Sequence, residues 1–334
     1  MPAPEDLAVQ HRNARETAVV FDLTGWTILS LGGRDAVTFL NNFCTNDLKT
    51  LPPGEGLEAF VTNVKARVVA HVLIFREPEK ESASDALTLI TAPGQGERLA
   101  SHLDRYVIRE DVTIQDRTAE SGLLGMTAPQ DSPVPLPGAP PDAPEVGRFA
   151  CRFQSFGDVN CQVMRVDLFG RPGCLIEGPR EGIAQVLRQQ ETAGITCLDA
   201  AVFDALRIEA LYPLSGTDVG EEQLAPEADR PWAISYTKGC YLGQEPIARI
   251  DALGHVNRLL RGLRLESGAV PEPGTALLAE GKEIGSITSA TMSFADGQPV
   301  ALGYVRAKFA EPGTTLSVRT PGGEVPAVVF GQAT

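Results

Sequence analysis

Soft metal ligands are scarce in this chain. Six cysteines and four histidines are spread over 334 residues, and no two cysteines form a C-x-x-C pair. Zinc ribbons and cysteine-ligated clusters use that spacing, so neither motif is visible. His11, His71, His102 and His255 are scattered, with no pair at helical ligand spacing. No G-x-G-x-x-G follows a strand-like run and no Walker sequence occurs, so dinucleotide and nucleoside triphosphate binding are not indicated. No G-x-S-x-G elbow is present. No apolar run approaches the roughly 18–20 residues needed to span a bilayer. Basic residues are also in the minority, 29 against 43 acidic, for a formal net charge of −14. A surface of that sign repels nucleic acid and anionic membrane, although a local basic patch can still hold an anion.

What is present fits a globular chain of two or three domains, 43% hydrophobic and 22% charged. The start, Met1-Pro2-Ala3-Pro4-Glu5-Asp6, lacks the basic and apolar regions of a signal peptide, and the thiols read as reduced, so the expected location is cytoplasmic.

Residues 24–31 read as a strand, 35–42 as a short helix, and 67–75 as a strand buried on both faces, because it is almost continuously apolar and β-branched. Residues 87–90 and 112–114 are further strands. Between them, Leu99, Leu103 and Tyr106 share one helix face. Seven prolines between 128 and 147 mark an extended insertion. Strands are expected at 159–166 and 174–176 and a helix at 180–190 that stops by Gly194. Asp199 is expected to cap a second helix. This mixed order indicates α+β. After Gly254 six short strand-like runs, separated by Pro-Gly, Asp-Gly and Gly-Gly turns, indicate a small β-barrel at 255–334.

The densest run of special residues is Lys238-Gly239-Cys240-Tyr241-Leu242-Gly243-Gln244-Glu245. Glycines permit positive φ or close approach, and a cation beside a cysteine can lower its thiol pKa. The plain alternative is a tight loop around a buried cysteine. The run resembles the K-G-C-[FY]-x-G-Q-E motif of the YgfZ-type folate-binding proteins, relatives of the glycine-cleavage T-protein (aminomethyltransferase) that are linked to iron–sulfur enzyme maturation. Asp35-Ala36-x-x-Phe39-Leu40-Asn41, Thr45-Asn46-Asp47-Leu48 and Asp204-Ala205-Leu206-Arg207-Ile208-Glu209 look like other blocks of the same superfamily.

The resemblance implies a GcvT-like three-lobed fold. Two interleaved α+β lobes would fill residues 1–254, followed by the C-terminal barrel, with tetrahydrofolate or a derivative in a central channel. It assigns Glu209 to the pterin, since a carboxylate accepts two adjacent donors well, and places Arg207 with it among the folate-binding residues. The alternative is a helix-end charge or an Arg207–Glu209 contact, with Arg207 structural. Lys238, Arg249, Arg258, Arg261, Lys65 and Arg67 are candidate cations for the folate tail. Each is otherwise a solvated charge. Cys240 is expected to be loop-borne, partly accessible, reactive and turned to the channel.

The T-protein pattern places an Asp-Asp pair where Ala70-His71 stands here, and Leu168-Phe169-Gly170-Arg171-Pro172-Gly173 replaces its G-Y-T-G-E-D-G run. Alanine offers no acid or base, and His71 on an apolar strand also reads as a core histidine. The expectation is therefore a folate-binding accessory protein for iron–sulfur client enzymes, without aminomethyl-lipoyl turnover. The alternatives are a folate-dependent aminomethyl transferase and a factor linked to tRNA modification, for which the acidic composition disfavours direct RNA contact.

Overall fold

The computed structural model describes residues 4–78, 86–129, 149–266 and 268–331. Most of the proline-rich stretch expected at 128–147 lies outside the described residues. The chain opens with helix α1 (Pro4–Glu16), then β1 (Val19–Asp22), β2 (Thr27–Gly32), α2 (Ala36–Asn41), β3 (Gly56–Thr62), β4 (Val68–Arg76), β5 (Ala86–Thr91), α3 (Gly96–Asp104), β6 (Thr113–Asp116) and β7 (Ser121–Thr127). It continues through β8 (Cys151–Phe156), β9 (Val159–Leu168), β10 (Arg171–Pro179), α4 (Arg180–Thr192), β11 (Thr196–Leu198), α5 (Ala200–Glu209) and α6 (Gln244–Leu253). The last strands are β12 (Arg258–Leu265), β13 (Ala276–Ala279), β14 (Lys282–Met292), β15 (Pro299–Arg306), β16 (Thr315–Thr320) and β17 (Gly323–Phe330).

Three sheets organise these elements. A five-stranded sheet runs β3-β4-β5-β2-β6 and a six-stranded sheet runs β11-β1-β7-β10-β9-β8. β1 therefore leaves the second sheet before the first is built, and β7 returns to it, so the two α+β lobes interleave in sequence. β12 to β17 close a six-stranded barrel. The fold class read from the sequence holds. Among the described residues no helix is long and apolar enough to cross a membrane.

β4 joins the lobes because both of its faces are buried, as its unbroken apolar run requires. Ala70, Val72 and Ile74 belong to the cluster with Leu40 of α2 and with Leu99 and Leu103 of α3. Leu73 and Phe75 belong to the other side, with Phe21, Leu175, Val202 and Phe203. Successive strand residues point to opposite faces, so Ala70 goes to the apolar core while His71 goes to the junction of the lobes. At α5, the Asp199 carboxylate accepts from the Ala201 N–H, as expected of an N-cap.

Candidate functional site

At the lobe junction two recesses share Arg230 and Trp232. One is bounded by Asp167, Phe169, Gly170, Ala210, Tyr212, Arg230 and Trp232 and opens to solvent from an inner space of about 40 Å³. The other, with an inner space of about 20 Å³, adds Leu211, Ala228, Asp229, Leu260 and Arg261 on the barrel side. Five non-glycine residues have positive φ among the described residues: Ala66, Phe169, Leu211, Asp229 and Glu280. Three of them, Phe169, Leu211 and Asp229, line these recesses. Left-handed backbone costs a non-glycine residue of order 1–3 kcal/mol and persists where function holds it. Phe169 and Gly170, both at positive φ, form the two-residue turn between β9 and β10. That turn carries the Phe169 ring edge-on to Phe21 and Phe203, at 5.6 and 5.1 Å between centroids.

The rear wall is a buried ionic cluster. Glu58 on β3 accepts from Arg230 Nε and Nη2, from Trp232 Nε1 at 2.7 Å and from His71 Nε2 at 2.6 Å. Glu58 and His71 are 2% and 4% exposed. Burial by itself would raise the Glu58 pKa. The Arg230 and His71 charges and their hydrogen bonds outweigh it and hold the carboxyl well below its ordinary range. His71 therefore donates from Nε2 to an ionised partner. Its ring lies 5.0 Å from Phe60 and 5.6 Å from Tyr212, with Tyr212 between it and the recess. The Arg230 guanidinium sits 5.2 Å from the Tyr212 ring and 4.8 Å from the Trp232 ring. Sequence reasoning discussed His71 and overlooked Glu58, Arg230 and Tyr212. The available signal was a lone carboxylate in an otherwise apolar strand, Leu57-Glu58-Ala59-Phe60-Val61.

Asn46 fastens this wall from the front. Its side-chain amide donates to the Glu58 and Trp232 carbonyls, both at 2.9 Å. The Thr45 hydroxyl donates to the Ala233 carbonyl at 2.7 Å. In return the Lys238 ammonium donates to the carbonyls of Asn41, Cys44 and Asn46 at 2.7, 2.9 and 2.6 Å. Its three donors are thereby filled. The ammonium lies 4.0 Å from Cys44 Sγ, so the thiol it adjoins is Cys44 and not Cys240. Burial lowers the Lys238 pKa and raises that of Cys44. Lys238 is a staple between two segments, and neither the tail-cation nor the thiol-activation expectation describes where its charge goes.

The rest of the motif is organised by that staple. Leu242 is held on both sides, its N–H donating to Asn42 O and its carbonyl accepting from the Thr62 hydroxyl. Tyr241 is buried with Phe60, Ala233 and Ile247. Gly243 has φ +84°, and a Cβ there would meet the Asn63 carbonyl at 2.5 Å. Glycine is required at that position, whereas Gly239 has open space around it and no positive φ. Gln244 and Glu245 are not loop residues. They open α6, which ends at Gly254 in the left-handed conformation. Arg249 is exposed on α6. Cys240 is exposed and makes no hydrogen bond among the described residues. It is loop-borne as expected, but neither recess is lined by it.

Glu209 and Arg207, expected at the ligand, are engaged elsewhere. Glu209 accepts from His11 Nε2 and Arg15 Nη2 of α1, both at 3.0 Å, and from the Ser293 hydroxyl beyond β14 at 2.7 Å. It clamps α1, α5 and the barrel together. Arg207 is fully buried and donates to Asp218 at 2.9 Å. Arg261 donates to Ala310 O and Asp229, so it too is spent on the protein.

Burial raises the Glu209 pKa, but the His11 and Ser293 hydrogen bonds and the His11 and Arg15 charges win and place it at about 2. A carboxyl depressed in the folded state contributes stability above its unfolded pKa, and that contribution is lost as pH falls through the folded value. The expected result is that wild-type stability drops more steeply between about pH 5 and pH 2 than that of Glu209→Gln. Parallel urea titrations across that window check it, and superimposable pH profiles would remove Glu209 from the clamp.

The sequence matches the GCVT N-terminal domain over residues 3–238 and the glycine cleavage T-protein C-terminal barrel domain over residues 258–333. It is 28% identical to the probable aminomethyltransferase of Natronomonas pharaonis, over 98% of this chain and 91% of that protein. It is 26% identical to the aminomethyltransferase of a Nostoc species, over 96% and 85%. The crystal structure of glycine cleavage system aminomethyltransferase T from Bartonella henselae superposes with a TM-score of 0.82 at 20% identity, over 97% of this chain and 88% of that one. The interleaved lobes, the closed barrel and these matches together place the chain in the glycine-cleavage T-protein family.

Proposed function

We propose that the protein binds a reduced folate, tetrahydrofolate or a derivative, in the cleft between its lobes and handles a one-carbon unit there. One observation carries the reading. Three aromatic side chains, a buried arginine and a carboxylate converge on one solvent-open recess, with Phe169 among them held at positive φ. A pterin is flat and aromatic, with a ring carbonyl that accepts and an amino-pyrimidinone edge that donates. Phe169, Tyr212 and Trp232 offer aromatic faces, Arg230 a donor and Asp167 an acceptor, so the residues present fit the group. Tetrahydrofolate would supply the ring nitrogens that carry a one-carbon unit. The carboxylate lining this recess is Asp167, since Ala70 lies in the sheet core and His71 sits behind Tyr212.

Two readings of that site differ in the chemistry after binding. The names of the relatives support folate-dependent aminomethyl transfer. The exposed, unbonded Cys240 in its clamped loop favours the second reading, an accessory protein for iron–sulfur client enzymes. A steady-state assay with aminomethyl-lipoyl carrier protein and tetrahydrofolate separates them. Transfer predicts turnover that falls about 10²–10⁴-fold in Asp167→Asn, the range of general acid–base help. The accessory reading predicts no turnover. It also predicts that Cys240→Ala, with stability changed by no more than about 0.5 kcal/mol as for an exposed site, fails to restore iron–sulfur enzyme activity in a deletion strain. Absence of turnover in wild type would contradict the first reading, turnover undiminished in Asp167→Asn would remove Asp167 from it, and full restoration by Cys240→Ala would contradict the second.

A further inference from the structure

The Glu58–Arg230 pair has an asymmetry that the packing does not use. Arg230 is 8% exposed, and Glu58 takes its Nε and Nη2 donors. Among the described residues Nη1 makes no hydrogen bond, although Arg230 borders both recesses. Nη1 is not one of the buried unpaired side-chain atoms, so this edge of an otherwise buried guanidinium is open to the cleft. Every acceptor site on Glu58 is already taken, by Arg230, Trp232 and His71. The guanidinium therefore cannot turn without breaking contacts to both aromatic walls. Its open edge is a fixed donor at the cleft.

We infer that Arg230 is the specificity-determining residue of the cleft, presenting Nη1 to an oxygen acceptor on the ring of the bound ligand, with Glu58 as its positioning residue. This rests on the folate reading and adds which edge of the ring is read. Guanidinium only donates. On a pterin ring the one oxygen acceptor is the 4-oxo oxygen. Exchange of that oxygen for an amino group sets donor against donor. The folate tail also carries acceptor oxygens. The ring is favoured because Arg230 lies against Tyr212 and Trp232, the faces on which a flat ring would stack. Tyr212 cannot make the discrimination, because its hydroxyl both donates and accepts.

The test is calorimetric, on the full chain, with four probes: tetrahydrofolate, its 4-amino analogue, a tail-less tetrahydropterin and the 4-amino counterpart of that pterin. Wild type is expected to bind each 4-oxo form roughly 10- to 100-fold more tightly than its 4-amino partner, the scale of one hydrogen bond to a charged group. Arg230→Lys keeps the charge beside Glu58 but loses the planar fork. It is expected to bring both ratios below about threefold, while Tyr212→Phe preserves them. Equal wild-type affinity for the oxo and amino forms would overturn the inference without any variant, so it stands exposed even if Arg230→Lys does not fold. So would an undiminished ratio in folded Arg230→Lys. A variant effect confined to the tailed probes would move Arg230 to the tail and overturn the ring assignment. Failure of wild type to bind any probe would instead sink the folate reading, and this inference with it.

Discussion

Glu58→Ala is expected to destabilise the protein by about 3–5 kcal/mol, the cost of stranding one member of a buried ion pair. The loss exceeds that of an ordinary core truncation because three groups lose their acceptor together. The Arg230 guanidinium keeps its charge, and the Trp232 indole N–H and His71 Nε2–H are left without a partner. Urea unfolding, read as a shift in midpoint at unchanged slope, measures it. The double change Glu58→Leu with Arg230→Met supplies the control. Replacing both ions by apolar groups is often neutral or stabilising, so the pair of changes is expected to recover most of the stability while abolishing folate binding. A Glu58→Ala effect below about 1 kcal/mol would show that the cluster is solvated and not a wall.

Lys238→Met should cost about 2–4 kcal/mol, because three carbonyls that share one ammonium lose their donor while the apolar stem stays packed. Those carbonyls belong to Asn41, Cys44 and Asn46. The effect should therefore appear in two places at once. The turn after α2 loosens, and the 238–243 loop that carries Cys240 becomes sensitive to proteolysis. Urea unfolding and limited proteolysis read the two consequences separately. A variant with wild-type stability and an intact loop would return Lys238 to the role of a solvated cation.

Local pattern made much of the fold readable. β4 was recognisable because a strand buried on both faces needs an unbroken apolar run, and Val68 to Phe75 provide one broken only by His71. The six barrel strands were recognisable because tight turns separate them, and α5 because Asp199 caps it. α6 escaped notice because Pro246 looks like a breaker, although as the third helical residue it sits in the first turn, where its missing N–H costs nothing. α1 escaped because its face toward the fold offers only Leu7 and Ala14 to the core beside His11 and Arg15, whose partner Glu209 is 198 and 194 positions away.

The site was less readable for the same reason. Glu58 finds His71 13 residues on but Arg230 at a separation of 172. Lys238 was assigned to Cys240 because they are two residues apart, yet its ammonium binds carbonyls up to 197 residues away. Proximity in sequence says little about where a long flexible side chain finds acceptors. The family's Thr45-Asn46 block could be recognised as a pattern, but its purpose emerges only when Asn46 is seen to tie β3 to the Trp232 segment.

The most direct measurement is a calorimetric titration with tetrahydrofolate of wild type and of Trp232→Ala. A folate site in the cleft predicts saturable, one-to-one binding by wild type. Truncating Trp232 should weaken it roughly 30-fold or more, as expected when an aromatic anchor worth about 2 kcal/mol or more is removed. Absence of binding to wild type, or equal affinity in the two proteins, would contradict the account.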